Sequence, residues 1–409
     1  MKLRLTPLAA LVLASSALGQ SSLVVPAGST FVYDTSSGPL VLTDLTIEAG
    51  GTLRALGPRA FRVRATGSLR IDGRLELSAF DSPGVQTLNT TNISEPGSAG
   101  GPGGGRGGTG NPLTTQSSPS GTNGHGPVVG PREGGGGGES GISSASLGTD
   151  ERRPGGGAGG ALAADQPVHP DPLNPLNLGL IAGRGANGWP TALGVRTLTP
   201  LPRGGALGQR AFVDADPTND FFGFRLLSTG VIQVGELQSV VGGSGGGGGG
   251  NAINGLVWPP PVFNPTADEK GAGGGGGGGV GILLAYQITL GPLGRIHADG
   301  GDGGGGENTI FLNRVGGGSG GGSGGYLVLQ ARNVDLSAAS DRALTALGGR
   351  GGPGKDNAFG AVNAGGNGGP GVIAIHVPPS VGGPILPTGK TLSDLSAPTA
   401  LVLLPDSRF

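Results

Sequence analysis

The sequence predicts an all-β protein, a solenoid of short stacked strands that carries glycine-rich loops. Three observations lead there. The chain holds 93 glycines and 33 prolines among 409 residues, with glycine several-fold above its ordinary frequency. Residues Ser21 to Phe80 alternate apolar and polar side chains with the two-residue period of a half-buried strand. A unit of glycine run followed by apolar segment recurs, as in Gly281-Ile-Leu-Leu-Ala, Gly325-Tyr-Leu-Val-Leu and the shorter copy within Gly365 to His376. Its spacing of about 45 residues lies in the range of repeat architectures. Unbroken runs such as Gly245 to Gly250 exclude the strict Gly-X-Y period of collagen.

Residues 1–19 read as a signal peptide. Met1-Lys2-Leu3-Arg4 is basic, Leu5 to Leu13 is apolar but too short to span a membrane, and Ala17-Leu18-Gly19 offers small residues for cleavage before Gln20. The chain is therefore expected to be secreted or held at the cell surface, with no transmembrane segment after cleavage. It has no cysteine, which removes disulfides and thiolate metal sites. A net charge of −1 supplies no field to attract nucleic acid or anionic lipid, so neither is expected as a partner.

Residues 20–81 form the N-terminal strand region. Leu40, Leu42, Leu45, Ile47 and Leu53, then Phe61, Val63, Leu69, Ile71, Leu75 and Leu77, fall on inner faces. Thr66-Gly67 and Asp72-Gly73 mark turns. Arg62, Arg64, Arg70 and Arg74 belong on solvated outer faces.

Residues 82–202 form an insertion rich in Ser, Thr, Asn, Pro and Gly. It offers little burial to offset its ordering entropy, so it is expected to be disordered or loosely ordered. Residues 203–380 carry the glycine-rich β repeats, and 381–409 a C-terminal tail. The runs 242–250, 271–279 and 316–325 are bracketed by strands and are expected to pack as polyglycine II-like helices of three residues per turn.

A small phrase recurs at Thr66-Gly67 to Gly73, Thr229-Gly230 to Gly235 and Leu293-Gly294 to Gly300. Each joins a glycine corner to a short alternating strand, the pattern stacked rungs require. On these residues the chain resembles bacterial right-handed β-helix proteins, the broad group of filamentous-haemagglutinin-like adhesins and pectate-lyase-like enzymes. The resemblance covers about half the chain and implies a right-handed parallel β-helix.

Few residues point to chemistry. Ser244, Ser319 and Ser323 satisfy G-x-S-x-G, but the motif has meaning only between a strand and a helix, and here serine merely interrupts glycine. Gly389-Lys390-Thr391 has Pro384 where a phosphate loop needs its first glycine. Asp214, Asp216 and Asp220, with Asn219 between the last two, crowd hard oxygen ligands into one loop and are the candidate calcium site. Asp299, Asp302 and Glu307 are read as solubilising a glycine-rich loop. His125, His169, His297 and His376 lack ligand spacing, and parity places His297 and His376 on outer faces. Trp189 and Trp258 sit beside prolines, where an exposed ring can stack on a sugar or a partner surface; they are the candidate ligand contacts. Asp72 with Arg70 and Arg74 on one outer face is the nearest approach to a lyase constellation, and it lacks a second acid.

These readings predict a non-enzymatic extracellular structural or adhesive protein that displays glycine-rich loops on a β scaffold. Its expected partners are surface molecules, polysaccharide among them, or further copies of itself. The alternatives are a β-helix polysaccharide lyase or hydrolase, and a calcium-binding surface module.

Overall fold

The structure is a computed structural model that describes residues 21–85, 95–110, 121–127, 134–139, 141–143, 155–162, 204–206, 208, 211–212, 216, 218–254, 269–307, 316–353 and 363–409. The N-terminal strands are β1 (Leu23–Val25), β2 (Thr30–Asp34), β3 (Leu40–Leu42), β4 (Leu45–Ile47), β5 (Thr52–Leu56), β6 (Phe61–Ala65), β7 (Ser68–Ile71) and β8 (Arg74–Glu76). Short strands follow at β9 (Gly141–Ser143), β10 (Phe224–Leu226), β11 (Ile232–Val234) and β12 (Ala252–Asn254). The remainder are β13 (Val280–Leu290), β14 (Arg295–His297), β15 (Tyr326–Asp335), β16 (Leu344–Thr345), β17 (Val372–His376), the one-turn helix α1 (Leu392–Leu395), β18 (Ser396–Ala397) and β19 (Leu401–Leu403).

Two large parallel sheets organise these elements. The first runs β1-β4-β7-β13-β15-β17-β19, with β3 and β6 joining at β13; the second runs β18-β16-β14-β8-β5-β2. The glycine-led repeats stack in register, with Val280 opposite Tyr326 and Tyr326 opposite Val372. One core fills the space between the sheets. Leu45, Ile47, Phe61, Val63, Leu69 and Ile71 meet Leu53, Leu75, Leu77, Ile296 and Leu344 there. A second core covers the far face of the first sheet, where Val280, Ile282, Tyr326, Val328 and Val372 pack under Phe212, Phe221, Phe222 and Leu403. Strands β13, β15 and β17 open as continuous apolar runs because both their faces are covered.

These sheets correct the expected right-handed parallel β-helix. Pairing within them is parallel, but among the described residues no closed solenoid forms. Strands β7 and β8 take β13 and β14 as their next neighbours, and the described glycine runs between them leave the sheets for a glycine lattice. A closed coil needs side chains to fill its interior; glycine has none, so these segments pack on one another instead.

The lattice follows a three-residue rhythm, the period of a polyproline II-type helix. In the run 272–279, Ala272, Gly275 and Gly278 donate to Gly317, Gly320 and Ser323. Gly274 and Gly277 donate to Gly108 and Gly105, while Gly276 and Gly279 donate to Phe80 and Leu77. Its carbonyls accept in the same rhythm from Gly249, Gly246 and Gly243, from Ser98 and Gly101, and from Gly301. The run is thus bonded to neighbours on six sides, and any Cβ at its glycines would strike backbone: at Gly278, Gly325 N would lie 2.5 Å away.

The expected disorder of the 82–202 insertion is corrected for its described parts. Gly108 donates to Gly246 at 2.7 Å, Gly124 to Gly135 at 2.8 Å and Gly160 to Gly321 at 3.0 Å. An argument from side-chain burial missed them, because backbone hydrogen bonds and close backbone contact order these segments. Among the described residues no helix is long and apolar enough to cross a membrane.

Candidate functional site

The densest group of titratable side chains among the described residues lies on the outer face of the second sheet, where it meets the lattice. Register builds it. Arg54 stands opposite Glu76, Glu76 opposite His297, and His297 opposite Thr345, forming one row across four strands. Arg74 and Arg295 form the row beside it. Past the strand ends, Asp299 and Ser78 continue the array, because the Asp299 N–H donates to Ser78 Oγ at 3.0 Å.

Arg74 links the group. Its Nε lies 2.8 Å from Glu76 Oε2, and its Nη2 donates to His297 Nδ1 at 2.9 Å. An arginine can only donate, so Nδ1 is the bare nitrogen and the neutral ring carries its proton on Nε2. Burial pushes the His297 imidazole below its ordinary value; Asp299 and Glu76 oppose that shift, and Arg74 and Arg295 reinforce it. Burial also pushes the Asp299 carboxyl up, against the bonds it accepts. Those bonds are the Leu347 N–H on Oδ1 at 2.7 Å and the Thr345 hydroxyl on Oδ2 at 2.8 Å. Glu76 likewise uses both oxygens, since Oε1 accepts the Ser78 N–H at 3.1 Å. Asp299 thus ties its segment to the next strand, while Glu76 is held by residues two positions either side of it. At the margin Arg54 lies 4.5 Å over the ring of Phe80, an exposed aromatic edge beside charged neighbours.

The sequence-predicted candidates fall elsewhere. Asp72 pairs with Arg70 at 2.6 Å, whereas Arg74 turns to Glu76 and His297. The three do not share a face as expected: the corner at Asp72-Gly73 sends β7 into the first sheet and β8 into the second, so parity does not carry across it. Asp216 Oδ1 accepts the Thr218 N–H at 2.9 Å and its hydroxyl at 2.6 Å, closing an Asx turn that holds the carboxyl below its ordinary range. Asp220 is partly buried nearby in the chain, and Asp214 lies outside the described residues. Among the described residues no group of three His, Asp or Glu side chains is arranged to hold a metal ion. Trp189, Trp258 and His169 also lie outside the described residues, and His125 is exposed.

The three motif serines are lattice pins. Ser244 Oγ donates to the Ala161 carbonyl and accepts the Ala161 N–H, both at 2.9 Å. Ser323 Oγ accepts the Ser244 N–H at 2.9 Å, and Ser319 Oγ donates to the Gly273 carbonyl at 2.6 Å. Lys390 pairs with Asp341 at 3.0 Å, while Thr391 caps α1 against Asp394.

His376 corrects its predicted outer-face position, being fully buried. The tail folds over β17: its Nδ1 donates to the Leu404 carbonyl at 2.7 Å, and the Phe409 ring stands edge-on at 5.2 Å. Asp406 and Arg408 complete this clasp, with Arg408 stacked 4.0 Å over Phe222.

Sequence reasoning missed Glu76 as a partner of His297, because their shared row joins strands far apart in the chain. No family model, no curated protein and no solved structure matches the chain.

Proposed function

We propose that this chain is an exported, non-enzymatic structural or adhesive protein whose glycine lattice serves as a stiff spacer between two faces that meet the surroundings. The six-sided backbone bonding of the 272–279 run carries this reading. A bundle bonded on all sides through its backbone, with neighbours too close for a Cβ, resists bending and leaves its interior few side chains, among them serine hydroxyls already bonded to backbone.

One further observation supports the role. Asp299 engages both oxygens in holding its segment to Thr345 and Leu347, which suits a cross-link better than a proton shuttle.

Protease shaving of intact producing cells tests the reading, with released peptides identified by mass spectrometry and a periplasmic protein as control. Peptides of this chain are expected in the supernatant while the control stays intact. Protection of the chain until the envelope is opened would overturn the surface role.

A further inference from the structure

We infer that β2, the free edge of the six-stranded sheet, pairs with β2 of a second copy of this chain, antiparallel about a two-fold axis through Val32. The inference goes beyond the spacer reading and does not depend on it.

Backbone geometry supplies the first argument. Among the described residues β2 pairs with β5 alone. Thr52 donates to the Ser29 carbonyl at 2.9 Å, with Thr30 opposite Thr52. In a parallel ladder this turns the backbone groups of Ser29, Phe31 and Tyr33 toward β5 and those of Thr30, Val32 and Asp34 away from the sheet.

The edge is also unguarded. Proteins blunt free edges with lysine, proline or inward charge, yet Asp34 is the one charged residue between Ser21 and Thr43. One strand further in, Arg54 stands opposite Val32 and Arg64 opposite Val41. Val32 is 53% exposed, Val24 and Val41 on the adjoining strands β1 and β3 of the first sheet are as exposed, and Phe31 and Tyr33 cover the core only in part. At the opposite end, α1 leads directly into β18 and its Leu395 is fully buried.

Self-pairing follows from the register. A two-fold axis through Val32 sets Val32 against itself, Phe31 against Tyr33, and Thr30 against Asp34. All three outward-facing residues then occupy hydrogen-bonded positions, and each Asp34 carboxylate meets a threonine hydroxyl rather than its own copy. Sliding the pair so that Asp34 faces Asp34 would place like charges together, which disfavours that register. Each edge carries only the Asp34 charge, so repulsion between two approaching edges is small and screened by salt.

Sedimentation velocity of the purified full chain over a dilution series tests this. Val32→Pro removes an N–H that the subunit does not use, so the β2–β5 ladder survives as edge prolines allow. Val32→Lys leaves every backbone group in place and adds charge, keeping the test open if the proline variant folds poorly. Wild type is expected to dimerise, and either variant to raise the dimer dissociation constant about 100-fold, with a melting temperature equal to wild type at dilutions where both are monomeric. A wild-type chain that stays monomeric throughout the series overturns the inference. So does a dimer that survives Val32→Lys, or one that is lost instead with Ile232→Asn in the exposed β10–β11 hairpin.

Discussion

Replacing Gly243 with alanine tests the lattice at a single atom. A Cβ there would lie 2.5 Å from the Ser323 carbonyl oxygen, 2.6 Å from that of Gly324 and 2.8 Å from Gly278 N. All three are backbone atoms of neighbouring segments, so no side chain can swing aside. To accept the methyl group, two segments must retreat by about 0.5–1 Å to reach ordinary contact. That retreat loosens the bond from Gly243 to Gly278 and the one Gly243 accepts from Gly105, now 2.9 and 2.8 Å. Overpacking costs about 1–3 kcal/mol and the loosened bonds about 1–2 kcal/mol. The stiffer unfolded chain offsets about 0.5–1 kcal/mol, leaving a net loss of about 2–4 kcal/mol. Gly305→Ala is the matched control, because its Cβ would meet nothing nearer than Pro353 Cγ at 3.3 Å, and its stability should change by less than about 0.5 kcal/mol. Urea unfolding followed by circular dichroism should separate the two midpoints by about 1 M. Equal midpoints would refute the claim that contact between backbones holds these segments.

The C-terminal clasp should loosen in acid. Burial holds His376 below its ordinary value of 6.5, so the unfolded chain binds its proton first. The contribution is complete above that ordinary value and is lost as pH falls through the lower folded one. Hydrogen-exchange protection in β19, corrected for the intrinsic pH dependence of exchange, should therefore fall on acidification more than in β4, and His376→Gln should remove the excess; an identical pH response in the variant would count against this origin. Ser244→Ala strands the Ala161 N–H and carbonyl and should cost about 1–3 kcal/mol, read as a lowered urea midpoint. Tyr326→Phe removes the buried hydroxyl that accepts the Phe222 N–H at 2.9 Å. A loss of about 1–2 kcal/mol is expected in the same assay, and faster exchange at the Phe222 amide would locate it.

What could be read from the sequence tracks how local the governing physics is. Alternation placed Leu45, Ile47, Phe61, Val63, Leu69 and Ile71 on inner faces, and each is buried in the core, because parity along one strand is a local property. The corner at Asp72-Gly73 defeated the same rule: strand direction changes there and Arg74 joins the other sheet. His376 was misplaced because parity describes one strand, while burial on the opposite face depends on a tail that returns over β17. The closed solenoid failed for a related reason. Glycine corners and alternating strands define the start of a coil, but whether it closes depends on what the intervening residues pack against. Glu76 had no signal in spacing as a partner of His297 and Asp299, since sheet register alone brings it to them.

The backbone bonds of the lattice do not recognise which glycine occupies which site. Sliding one run along its axis by a full turn restores every donor to an equivalent acceptor, so register must come from the sparse residues that are not glycine. Ser244, Ser319 and Ser323 each have one position at which the hydroxyl finds its partners, and Asn251 receives the Gly271 N–H at one end of its run. Length variation in these runs is therefore constrained as phase. Adding or removing three residues within a run returns each pin to the same side of its helix, whereas a change of one or two turns every pin toward the wrong neighbour. Runs of this kind can grow or shrink in triplets while keeping their bonding pattern, much as a screw thread is indifferent to how many turns it has.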